Sequence, residues 1–97
     1  MPFVYLLRCR GDSLYAGAAK NLPARLREHQ RGQASRYTRS RLPVVLAWSR
    51  EVTTWSEALR EEHRIKRLSR RGKLALVAAG HRGRRTRRKK RASLPKP

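Results

Sequence analysis

The chain has 97 residues, with 26 Lys and Arg against six Asp and Glu, a formal charge of +20 and a pI near 11.9. That length holds one domain with a modest core, and a single cysteine, Cys9, excludes an intramolecular disulfide and a cysteine-based zinc site. A field this positive binds polyanions, with nucleic acid first and an anionic membrane surface second, and only the remaining reading makes the basic residues mere solubilisers.

No apolar run approaches the roughly 18 residues of a membrane span, and the start, MPFVYLL, lacks the charged region of a secretion signal. The expected location is the cytoplasm, associated with the nucleoid, with no membrane partner and with protein partners left undefined.

Phe3 to Cys9 is an apolar run broken only by Arg8, as in a strand covered on both faces. Arg10-Gly11-Asp12-Ser13 is turn chemistry, and Leu14 to Ala18 completes a hairpin. Gly17 inside that second strand marks a bulge or a close backbone approach. Asn21 is a good N-cap with Pro23 tolerated in the following turn, so a helix is expected to run to about Arg31 and stop at Gly32. Leu22 and Leu26 share its buried face, and Arg25 and His29 share an adjacent one.

Gln33 to Leu42 is polar, basic and aperiodic, and is expected to be a loop. It interleaves Arg36, Arg39 and Arg41 with Tyr37, a pattern suited to phosphate contacts with one stacking ring, or simply to a solvated surface. Pro43 to Val52 is β-branched and apolar, a third strand. A helix is expected from Glu57 to Leu68 with Ser56 as N-cap. A shorter one should follow from Arg70 to Ala79, capped by Ser69, ended by Gly80 and buried through Leu74 and Val77. The domain is therefore placed at residues 1–80. Residues 81–97 hold nine basic side chains and no acid, and read as a tail that buries too little to fold alone. Setting those nine aside leaves 17 basic residues against six carboxylates, a net of +11, so the folded part is strongly basic by itself.

The Glu57–Leu68 segment carries a polar anomaly. At 100° per residue, Ala58, Leu59, Ile65 and Leu68 define its inward face, with Glu62 near the middle and Glu61 at the edge. An inward carboxylate must be paired, bound to metal or lining a cleft. A structural ion pair with an arginine and a metal-binding carboxylate in a nucleic-acid site both satisfy that demand. His29 has Arg25 beside it, which disfavours the imidazolium and leaves a neutral proton acceptor.

Four short motifs stand in order: Val4-Tyr5-Leu6-Leu7; Tyr15-Ala16-Gly17, with nine residues separating the two tyrosines; Asn21-Leu22 followed by Arg25 and His29; and Ala58-Leu59-Arg60-x-Glu62-x-x-Ile65-Lys66. This array, over residues 2 to 76, resembles the GIY-YIG nuclease domain, in particular its small single-domain bacterial members. Phe3 stands where the first motif has glycine, and Ala16 where the second has isoleucine. The resemblance implies an α/β (α+β) domain, a three-stranded antiparallel sheet flanked by helices in the order β-β-α-β-α-α. It also implies cleavage of nucleic-acid phosphodiesters with one divalent ion, Mg²⁺ or Mn²⁺. By position Tyr5 and Tyr15 are the motif tyrosines, Arg25 the arginine that contacts the scissile phosphate, and His29 a histidine found in part of the family. Glu62 is the metal-binding glutamate, and an alignment one residue earlier would select Glu61. Tyr5 or His29 would draw the proton from water, and Tyr15 would position it.

Arg27, Arg36, Tyr37, Arg39, Arg41 and Lys66 are the nucleic-acid-binding candidates. The expected function is a metal-dependent DNA endonuclease in repair or recombination. The alternatives are a non-catalytic DNA or RNA binder that keeps the fold, and a component of a larger assembly tethered through the tail.

Overall fold

The computed structural model describes the backbone of residues 1–88 and the side chains of residues 1–80; the end of the expected basic tail, 89–97, lies outside the described residues. Strands β1 (Phe3–Arg8), β2 (Leu14–Ala19) and β3 (Val45–Glu51) form one antiparallel sheet in the order β2-β1-β3. Helices α1 (Leu22–Gln30) and α2 (Arg36–Arg39) lie between β2 and β3, and α3 (Trp55–Lys66) and α4 (Arg70–Arg88) follow. Among the described residues no helix is long and apolar enough to cross a membrane.

The apolar run at β1 is explained by its central place. Val4 and Leu6 pack on one face with Ala58, Ile65 and Val77, while Tyr5, Leu7 and Cys9 pack on the other with Leu22 and Val44. Alternate residues of a strand point to opposite faces, so both sets must be buried when helices cover both. Each fully buried Leu or Ile contributes about 1.5–3 kcal/mol over its exposed state. The β1–β2 turn uses positive φ at Gly11 (84°) and Asp12 (66°), as its composition predicts.

Helix α1 begins as expected. The Asn21 side chain accepts from the Ala24 amide, and Pro23 lies in the first turn. Its buried line, however, is Leu22 and His29, two turns apart, with Leu26 only partly covered. His29 is thus part of the packed face and not of an adjacent one.

Four further expectations are corrected by the structure. The Gln33–Leu42 stretch is not all loop: Ser35 caps the one-turn helix α2 by accepting from the Thr38 amide, and Thr38 is completely buried. Helix α3 starts at Trp55, with Thr54 as N-cap and Glu57 returning its carboxylate to the Thr53 amide, so Ser56 is inside the helix. Leu59 and Leu74 are exposed, because each lies off the line through the buried residues of its helix, Ala58–Ile65 in α3 and Val77 in α4. Finally, α4 does not end at Gly80. A Cβ there would sit 2.8 Å from Cδ1 of Trp48 on β3, so this glycine permits a close helix–sheet approach and not a helix stop.

Candidate functional site

Tyr5 and Gly17 are register partners across β1 and β2. The missing side chain at Gly17 leaves the space that the Tyr5 phenol fills: a Cβ there would overlap its hydroxyl. The expected close backbone approach is therefore a tyrosine ring laid across the neighbouring strand. Tyr15 is paired with Leu7 in the same register and so shares the face of Tyr5.

Both tyrosines meet His29 from α1. The Tyr5 hydroxyl is 2.9 Å from His29 Nε2 with both residues buried, and the two rings are edge to face. Tyr15 packs on the imidazole in the same way, with ring centroids 5.4 Å apart. The other ring nitrogen, Nδ1, is 2.9 Å from Thr38 Oγ1. Burial is the main cause that holds the His29 imidazole below its usual pKa, Arg25 adds to it, and Glu28 opposes. Burial pushes the Tyr5 phenol up to about 12, against the opposite pull of the Arg25 guanidinium. At neutral pH the pair is a neutral phenol beside a neutral imidazole.

Arg25 lies alongside Tyr5 and is half exposed. One of its nitrogens donates to Glu28 at 2.9 Å, which leaves most of its five N–H donors available for other acceptors. Arg25 and Glu28 line a cleft of about 430 Å³ together with Lys20, Asn21 and Trp55, where α1 approaches the start of α3. The Lys20 ammonium lies over the Trp55 ring.

The two candidate carboxylates part company. Glu61 is held by Arg50 of β3 at 2.9 Å and by Arg64 at 2.8 Å, and hydrogen bonding to Arg64 keeps its carboxyl below the ordinary range. Glu62 has Lys66 at 3.0 Å and is close enough to Tyr5 that its negative charge strengthens the phenol's hold on its proton. Both are about one-fifth exposed. Among the described residues no three His, Cys, Asp or Glu side chains converge on one point. Glu62 could offer one carboxylate oxygen to a hard divalent cation whose other positions are filled by water and phosphate oxygens.

The nucleic-acid-binding candidates are dispersed. Arg27, Arg36, Arg39 and Lys66 are exposed. Tyr37 is not a free stacking ring: Tyr15 stacks on it at 5.5 Å, and the Arg41 guanidinium lies 3.9 Å from its centroid. Arg41 also donates to the Tyr37 carbonyl and to Ser40 Oγ. Thr38, Ser35 and Glu28 touch the site without having been singled out from sequence. The one signal for the first two was a serine able to cap a turn three residues before a threonine.

A three-stranded antiparallel sheet with two tyrosines, a histidine and an arginine gathered on its α1 face defines the class to which residues 1–75 also match, the GIY-YIG catalytic domain. The chain belongs to that family. It is 45% identical over 75 residues to a UPF0213 protein of Staphylococcus aureus strain N315, covering 77% of this chain and 92% of that one. A UPF0213 protein of Staphylococcus saprophyticus is 41% identical over 78 residues, covering 80% and 95%. The solution NMR structure of the UPF0213 protein BH0048 from Bacillus halodurans superposes with a TM-score of 0.56 at 33% identity, over 95% of this chain and all of that one. Membership points to nuclease chemistry on nucleic acid, generally with a divalent metal ion.

Proposed function

We propose that the protein is a divalent-metal-dependent endonuclease of the cytoplasm that hydrolyses phosphodiester bonds in DNA, in repair or recombination. The observation that carries the reading is the buried Tyr5–His29 hydrogen bond, 2.9 Å long, beside the Arg25 guanidinium. A phenol with so high a pKa does not act as a base alone. Joined to a neutral imidazole it accepts a proton from the attacking water at Oη while its own proton passes to Nε2. Tyr15 positions that water. Arg25, permanently charged and planar, binds the scissile phosphate and stabilises the charge on its equatorial oxygens. The new P–O bond forms from the water oxygen as the bond to the leaving sugar oxygen breaks. Glu62 would hold the divalent ion, Mg²⁺ or Mn²⁺, which when bound supplies Lewis-acid stabilisation of the phosphate.

The net charge of +11 on residues 1–80 supplies nonspecific attraction to DNA, to which Arg27, Arg36, Arg39, Arg41 and Lys66 contribute. Residues beyond Gly80, with nine more basic side chains, extend that field as a second DNA-contacting unit.

Labelled linear, branched and single-stranded DNA incubated with the purified chain, with and without Mg²⁺ or Mn²⁺, tests the reading. Metal-dependent nicking is expected. Intact substrates in every condition alongside tight binding would replace it with a non-catalytic DNA- or RNA-binding role.

A further inference from the structure

The contacts of His29 admit two proton arrangements, and only one accounts for every proton. In the first, the Tyr5 hydroxyl donates to Nε2, Nδ1–H donates to Thr38 Oγ1, and the Thr38 hydroxyl donates onward to Ser35, whose carbonyl is 3.4 Å and whose Oγ is 3.1 Å away. In the second, Nε2–H donates to Tyr5 and the Thr38 hydroxyl donates to Nδ1. The Tyr5 proton then needs another acceptor. Among the described residues Tyr5 has no hydrogen-bonded acceptor besides His29, and the adjacent Arg25 guanidinium only donates. A buried hydroxyl left without an acceptor is disfavoured, so the first arrangement is the stable one.

We propose that Thr38 is a positioning residue for the reaction: its hydroxyl accepts the Nδ1–H that the Tyr5 bond to Nε2 requires, and so stabilises the imidazole in the tautomer whose Nε2 is a bare acceptor facing the Tyr5 hydroxyl. The proposal rests on the nuclease reading for its catalytic consequence, and on geometry alone for the tautomer. A threonine hydroxyl suits the role because it accepts from Nδ1–H before and after Nε2 takes a proton, and so serves both states of the relay. Unlike a carboxylate it adds no negative charge, and the resting imidazole stays neutral.

The one-turn helix α2 exists in a form that serves this contact. Ser35 accepts from the Thr38 amide at 3.2 Å and its carbonyl accepts from the Arg39 amide, which holds Thr38 under α1 with no solvent exposure. The basic residues of the same turn, Arg36 and Arg39, are exposed on its outer side. One turn of helix thus separates a DNA-facing exterior from an interior that orients the base.

Long-range ¹H–¹⁵N correlation of the His29 ring in the wild-type protein reads the tautomer directly, without substrate or metal. Protonated Nδ1 with unprotonated Nε2 is the expected result, and the reverse tautomer overturns the proposal whether or not the chain cleaves DNA. In Thr38→Val the ring is expected to lose its single tautomer. With DNA as substrate kcat should then fall about 10–100-fold, the range known for the outer hydrogen-bond partners of metal-bound histidines, with KM little changed. Thr38→Ser should restore both the tautomer and most of kcat. A folded Thr38→Val protein with the wild-type ring spectrum and wild-type kcat also overturns it. If that variant does not fold, the wild-type spectrum decides. If the wild-type chain cleaves nothing, the nuclease reading fails while the ring spectrum still decides the placement of Thr38.

Discussion

The Tyr5 hydroxyl and His29 Nε2 are 2.9 Å apart, and the two residues are 2% and 0% exposed. Their bond joins the central strand to α1, and burial is the largest reason that neither group keeps its ordinary protonation behaviour. Removing either partner removes the same proton path. Tyr5→Phe and His29→Ala are each expected to lower single-turnover cleavage of DNA by about 10²–10⁴-fold. The double variant should be little worse than the poorer single one, as for residues that act as a unit. Losses that multiply would show that the two act separately.

The pH dependence has a definite sign. His29 must be neutral to accept a proton, and burial and Arg25 hold its pKa below the usual 6.5. Cleavage should therefore persist as pH falls through 6.5 and decline only lower, checked by single-turnover rates from pH 5 to 8. Stability follows the same group. Below about 6.5 the unfolded chain binds a proton at this histidine that the folded chain refuses, so folding weakens as pH falls and levels off below the folded-state value. Urea melts of wild type and His29→Gln at pH 7.5 and 5.5 should show the larger acid loss in the wild type.

Gly17→Ala is expected to destabilise the fold by about 1–3 kcal/mol through overpacking and to abolish cleavage. The added Cβ would lie 2.5 Å from Tyr5 Cζ and 2.9 Å from Cε1, as well as overlapping the hydroxyl. Tyr5→Phe keeps both carbons and should not rescue the stability of Gly17→Ala. Thermal melts of the two singles and the double check this, and full rescue by phenylalanine would show that the hydroxyl alone made the clash.

Removing residues 81–97 takes away nine of the 26 basic residues. DNA binding should weaken evenly across sequences, and its log–log salt slope should flatten by about 0.9 for each phosphate no longer neutralised. Titrations at several salt concentrations measure it. An unchanged slope would mean that these residues bind no phosphates.

Much of this site was legible because it is built from elements with strong local signals. The hairpin, the Asn21 cap and the glycine in β2 each follow from residue type and spacing, whereas Glu61 and Glu62, read as edge and middle of the inward face, are equally exposed. Other features were hidden for physical reasons. Nothing periodic marks α2, a single turn whose only inward side chain is Thr38. His29 was placed beside the buried face because helical angle alone does not say how far the sheet wraps around α1. Gly80 looks like a helix stop in sequence, since a glycine needed for close packing against Trp48 and one needed for a C-cap are the same letter. Ser56 and Thr54 both have the chemistry of a cap, and the position of Glu57 three residues after Thr54 decides between them.

The measurement that bears most directly on the proposed mechanism is the single-turnover rate of DNA nicking with Mg²⁺ and with EDTA for wild type, Glu62→Ala and Glu61→Gln. Glu61 is engaged by Arg50 and Arg64, whereas Glu62 influences Tyr5. Wild-type cleavage is expected to require the metal and to disappear in Glu62→Ala with DNA binding retained. Glu61→Gln should cleave at a near-normal rate with less than about 1 kcal/mol of stability lost. Metal-dependent nicking that survives in Glu62→Ala but disappears in a folded Glu61→Gln, or no nicking by the wild type at all, would contradict the mechanism.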